Sequence, residues 1–120
     1  MNYRKNLGRW GEKTAESFLI RKGYQIMGKN VRTPYGEIDL IGEQGGMIAF
    51  VEVKTRSSTD FGLPEESITP KKQAHMVNAA EAYMQDHPDL GMGWRLDVIG
   101  IRKMPGNQPP EIVHFENVLT

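Results

Sequence analysis

Residues 36–55 read GEIDLIGEQGGMIAFVEVKT, two apolar runs joined by a pair of glycines. The first run reads as a strand that reaches Glu43 before a turn at Gly45-Gly46. In the second, MIAFVEVKT, the residues are almost continuously apolar and β-branched, the pattern of a strand covered on both faces. It is expected to be central in a sheet, with the strand before it as a hairpin neighbour.

Working outward, residues 24–33 read as a weaker strand closed by the turn Pro34-Tyr35-Gly36. Ahead of it, Leu7, Trp10, Ala15, Phe18 and Leu19 fall on one face of a helix predicted over residues 7–22, with Gly23 as its stop. On the other side, SSTDFGLPEESIT (57–69) has no periodicity and is expected to be an exposed, mobile loop. Thr69-Pro70 is a cap and first residue for a second helix, whose apolar repeat Met76, Val77, Ala80, Tyr83, Met84 runs until His87-Pro88. WRLDVIGIRK (94–103) is a strand, MPGNQPP (104–110) a loop, and EIVHFENVL (111–119) a last strand in a hairpin with its predecessor. The predicted order is αβββαββ.

The 120 residues suit one domain, 1–120, and 38% hydrophobic content with mean hydropathy −0.52 suits an ordinary globular core. There is no cysteine, which removes disulfides, thiolate zinc sites and thiol nucleophiles from consideration. No stretch approaches the ~18 apolar residues of a membrane helix, so a cytoplasmic protein without a membrane partner is expected. Net charge is zero, but unevenly laid out. Residues 1–35 carry eight basic and two acidic side chains, whereas residues 36–66 carry two basic and seven acidic ones. A basic flank beside an acidic centre suits a polyanion held next to a bound cation, and it is also how soluble surfaces are built.

Chemistry concentrates on the two strands read first. Residues two apart share a strand face, which groups Glu37 with Asp39 and Glu52 with Lys54. Strand interiors disfavour Asp, and one lysine cannot neutralise Asp39 and Glu52 together with a third carboxylate. At ~4 Å and an effective dielectric near 20, each unit repulsion costs roughly 4 kcal/mol. A divalent cation removes that cost, and oxygen ligands without His or Cys suit a hard ion, Mg²⁺ or Mn²⁺. The alternative is a cross-strand ion pair of Lys54 with one carboxylate. Glu12, at the edge of the first helix's apolar stripe, is the candidate extra acid; it reads equally well as an acid favoured by the helix dipole.

Glu12, then GEIDLI with Asp39, then FVEVKTR with Glu52 and Lys54, resembles the PD-(D/E)XK nuclease superfamily of restriction endonucleases and archaeal Holliday-junction resolvases: an acid, twelve residues, then Glu-x-Lys. The closer likeness is to the YraN-like family of small bacterial proteins. GRWGEKTAESFL, GYQIMGKNVR, GEIDLI, FVEVKTRSSTDFG, ESITPKKQ and WRLDVIGI all look like that family's blocks, so the resemblance covers nearly the whole chain. It implies an α/β, restriction endonuclease-like fold with a central mixed five-stranded sheet flanked by helices. Asp39 and Glu52 would be ligands of Mg²⁺, with Glu12 as the helix carboxylate of resolvase-type members. Lys54 would orient or help activate the attacking water for phosphodiester hydrolysis of DNA, branched or damaged, in repair or recombination. The Pro of the superfamily's name is absent, because Glu37-Ile38 precedes Asp39.

Lys71 and Lys72 fall in the first turn of the second helix, a placement that makes sense if that helix end meets a phosphate. Arg56 follows the Glu-x-Lys strand and is a candidate phosphate clamp or a partner of Asp60 or Glu65; Arg32, in the basic flank, joins the nucleic-acid-binding candidates. Arg95 and Asp97 share a strand face as a structural ion pair, and His75, His87 and His114 lack metal-ligand spacing. Two other readings stand beside hydrolysis: a non-catalytic nucleic-acid-binding module acting within a DNA-processing complex, and a structural dimer. A homodimer also fits a small nuclease that must engage two strands.

Overall fold

A computed structural model describes residues 2–57, 68–91 and 93–119. Helix α1 spans Tyr3–Arg21, four residues earlier than the apolar stripe alone predicts. The extra turn is polar and exposed, so no stripe marks it; the Asn2 side chain caps it by accepting from the Lys5 N–H at 3.0 Å. Gly11, Ala15 and Leu19 form its buried row. A Cβ on Gly11 would lie 1.9 Å from the Thr55 hydroxyl oxygen, so glycine is what lets this helix close onto the sheet.

Strands β1 (Gln25–Thr33), β2 (Gly36–Gln44) and β3 (Met47–Ser57) follow as an antiparallel meander. Gly45 and Gly46, both at positive φ, make the two-residue turn between Gln44 and Met47. Helix α2 (Pro70–Asp86) starts as predicted, with the Thr69 hydroxyl accepting from the Lys72 N–H at 3.2 Å. It is the crossover that makes β4 (Gly93–Lys103) parallel to β3. Strand β5 (Glu111–Phe115) returns antiparallel to β4. The last strand therefore ends four residues short of its predicted end. Asn117 turns the chain with φ +55, its N–H donates to Asp97 Oδ1 at 2.9 Å, and the Val118 N–H goes to the Leu96 carbonyl, so the tail folds across β4. The predicted loop 57–69 begins on Ser57, still in β3, and ends on the cap Thr69; residues 58–67 lie outside the described residues.

The sheet order is β1-β2-β3-β4-β5, with β3 in the middle. Neighbouring residues feed opposite faces. Leu40, Ala49, Val51, Ile99 and Ile101 pack under Ala15 and Leu19 of α1. Ile41, Ile48, Phe50 and Leu96 pack under Ala79 and Ala80 of α2. Each such Leu, Ile or Phe contributes roughly 1.5–3 kcal/mol of burial. This is an α/β architecture, a mixed five-stranded sheet between two helices in the order αβββαββ, consistent with the restriction endonuclease-like fold. Among the described residues no helix is long and apolar enough to cross a membrane.

Candidate metal and catalytic site

The site is made by a fork in the sheet. β2 and β3 pair from the turn only as far as Leu40 opposite Val51. Beyond that point β2 continues against β1, with Ile38 opposite Val31, while β3 continues against β4 from Glu52 to Ser57. Asp39 and Glu52 are the first residues past the last pair. Parting the strands costs Val53 its place in the β2 ladder, and Asp39 Oδ2 accepts its N–H at 2.8 Å. An Asp in a strand interior, unfavourable by propensity, here replaces a lost backbone acceptor.

That one N–H does not balance the charge. The Asp39 carboxyl is pushed from its ordinary 3.8 up to about 7, by burial first and then by Glu52, against the help of the Val53 N–H; the charges of Glu12 and Glu37 add to the rise. Glu52, with 14% of its side chain exposed, holds two lysines, Lys72 Nζ at 2.9 Å and Lys54 Nζ at 3.5 Å. Lys54 lies below the usual ammonium range, through burial and then through Lys72 beside it. For Lys72, burial opposes the charge, and its contacts with Lys54 and Glu52 outweigh that and raise it. The ion pair made by Lys54 is thus with its own strand's Glu52, and Lys72 shares it.

Glu12 reaches Asp39 as a charge. Its Oε1 accepts from Asn30 Nδ2 at 3.0 Å, and the same amide donates to Glu37 Oε1 at 3.1 Å. Asn30 reaches both acids from a left-handed backbone, φ +49, which Asn tolerates better than most residues. Asp39 and Glu52 line a recess of about 390 Å³ together with Lys71, Lys72 and His75. Glu12 and Lys54 line a second, of about 480 Å³, with Tyr3 and Arg4. The fork therefore has acids on both sides of it. Arg32 is exposed on β1, opposite Glu37. Arg56 has a buried Nε without a hydrogen-bond partner among the described residues; Asp60 and Glu65, its candidate partners, lie outside them.

One cluster was only half visible in the sequence. Asp97 is fully buried and accepts from Arg95 at 2.9 Å, from the Asn117 N–H, and from His114 Nε2 at 2.8 Å. Burial opposes its ionisation, yet the bonds from His114, Arg95 and Asn117 hold it below the ordinary value. Asp97, His114 and Glu116 bring ligand atoms within 4.8 Å of one another, closer than Asp39, Glu52 and Glu12 come as a trio. Arg95 already occupies that cluster, binding Glu116 at 3.1 Å and the Tyr24 hydroxyl at 2.6 Å. The Arg95–Asp97 pair is as read from the strand spacing; the arrival of His114 from β5 is not a sequence-local fact.

Comparison with known proteins adds kinship to this geometry. A family model described as Uncharacterised protein family UPF0102 matches residues 11–101, a span that holds Glu12, Asp39, Glu52 and Lys54. The chain belongs to the UPF0102 family. A UPF0102 protein of Chloroherpeton thalassium is 38% identical over 120 residues, covering 96% of this chain and 93% of its own. The one from Caldicellulosiruptor bescii is 49% identical over 98 residues, 81% and 82% of the two chains. Another, from Dehalococcoides mccartyi, is 42% identical over 98 residues, 82% and 81%. Membership in UPF0102 is consistent with the YraN-like resemblance of the motif blocks.

Proposed function

We propose that this UPF0102 protein is a metal-dependent endonuclease that hydrolyses phosphodiester bonds of DNA, branched or damaged, in cytoplasmic repair or recombination. The observation that carries the reading is the fork: Asp39 and Glu52 are the first residues past the last β2–β3 pair, and among the described residues Asp39 makes no salt bridge, the charge of Lys72 acting on it while that ammonium is bound to Glu52.

The donor set fits a hard divalent ion. Three carboxylates, Glu52, Glu12 and Glu37, act on Asp39, with Lys54 and Lys72 as the cations on Glu52, and all the candidate donors are oxygens. Asp39 and Glu52 would hold Mg²⁺ or Mn²⁺, with Glu12 adding negative charge. When bound, the ion supplies Lewis-acid stabilisation and makes water a better nucleophile. Lys54, beside Glu52 with a lowered pKa, would orient the attacking water and offset charge growing on the phosphate. Lys71, at the exposed start of α2, would hold a flanking phosphate by its charge. In the balanced reaction water adds to phosphorus, the ester P–O bond breaks in line, and the leaving oxygen takes up a proton.

The test is cleavage of an end-labelled panel of linear, single-stranded, flapped and four-way-junction DNA in Mg²⁺ and in Mn²⁺, with Glu52→Ala purified in parallel. Cleavage that falls at least about 100-fold in the variant is expected, the scale of losing one transition-state stabilising group. Cleavage equal in both proteins contradicts the reading. DNA bound but uncut under every condition makes the chain a binding module.

A further inference from the structure

The recess beside Asp39 and Glu52 is larger and more apolar than phosphodiester hydrolysis needs. Its volume of about 390 Å³ lies in the range of small-molecule pockets, and Ile38, Phe50, Met76, Ala79 and Leu96 line it. Around them stand Asp39 and Glu52, assigned above to the metal, with Lys71 and the Glu52-bound Lys72. Two further rings line it, Tyr35, 51% exposed in the β1–β2 turn, and His75 from α2, beside the polar Glu37 and Thr69. An apolar hollow with flat rings, opening next to cations and a carboxylate pair, is complementary to a nucleotide rather than to a phosphate alone.

Resting on the endonuclease reading, we propose that this recess takes the base of an unpaired nucleotide of DNA while the adjoining phosphate lies at Asp39 and Glu52. A paired base must first be unpaired and unstacked to enter it, at a cost of about a few kcal/mol. An unpaired base enters at small cost, since the unstacking penalty is least for bases already unpaired. Stacking on an aromatic ring is sequence-tolerant, as every base has a π-face. Lys71 and Lys72 bind the flanking phosphates by charge.

Fluorescence anisotropy with the full chain in Ca²⁺ decides this. One labelled duplex carries a single bulged adenosine, the second an abasic residue in the same bulge, and the third no bulge. The wild type is expected to bind the bulged adenosine about tenfold tighter than the abasic bulge. Tyr35→Ala, a change at an exposed residue, should bring that ratio close to one, and Tyr35→Phe should keep it. Ala79→Leu, which fills the recess, should also abolish the preference. Equal wild-type affinity for adenosine and abasic bulges overturns the proposal and leaves the endonuclease reading standing. A preference that Tyr35→Ala leaves intact places the base elsewhere and overturns it too. Failure to bind any of the three duplexes overturns both readings.

Discussion

Asp39 and Asp97 are two aspartates on strands of one sheet, separated by β3, and they have opposite fates. Asp97 stands opposite Val51 on β4 and is wrapped by Arg95, His114 and the Asn117 N–H, so its carboxyl is held below 3.8 in spite of complete burial. Asp39 stands just past the last β2–β3 pair with one N–H and three nearby carboxylates, and its carboxyl is raised to about 7. A buried charge that the chain neutralises for itself is architecture. One that the chain surrounds mostly with more of the same sign, with the charge of Lys72 against them, supports the metal site proposed above.

The largest expected effect breaks the satisfied side. Asp97→Ala leaves Arg95 and His114 without their shared acceptor and unties the tail at Asn117, so urea unfolding should show a loss of about 3–5 kcal/mol. Asp39→Asn at pH 8 should leave the metal-free protein at least as stable as the wild type, because it removes a repelled charge; an equal loss in both variants would erase the distinction. Next in size is the response to metal. At a hundred times its dissociation constant, Mg²⁺ should stabilise the wild type by ~2.7 kcal/mol in thermal unfolding and leave Asp39→Asn unmoved.

Smaller, and opposite in sign for the two residues, is the effect of pH. For Asp39 the folded value lies above the unfolded one, so its contribution is intact below about pH 4 and is lost as pH rises through about 7. Since the group stays partly exposed, about 1–2 kcal/mol is expected after solvent screening. For Asp97 the folded value lies below, so its contribution is present above about pH 4 and is lost as pH falls. Metal-free wild type should therefore lose stability between pH 5 and pH 8 relative to Asp39→Asn, and a flat difference between the two across that range would contradict it.

Local chemistry explains which parts were legible. The Gly45-Gly46 turn, the Thr69-Pro70 cap and the apolar run of β3 each declare themselves within a few residues, and together they fix the order αβββαββ. Grouping Glu52 with Lys54 on one face needed only the period of a strand, whereas the ion pair of Lys54, expected across strands, forms within β3. What was hidden depends on competition between distant segments. The fork exists because β1 holds β2 and β4 holds β3 past Leu40 and Val51, and no spacing in the sequence says where a ladder stops. Lys72, read as a phosphate ligand, rests on Glu52 because α2 crosses β3 there. Asn30, which joins Glu12 to Glu37, gave no signal beyond being a residue that tolerates positive φ.

The most direct measurement is a ¹³C NMR titration of the aspartate side-chain carboxyls, with and without Mg²⁺. Asp39 should titrate near pH 7 in the metal-free protein and well below it with Mg²⁺ present, while Asp97 stays ionised in both across the same range. If Asp39 titrates at the ordinary value, or at the same pH with and without Mg²⁺, the fork is not a metal site and the central claim fails.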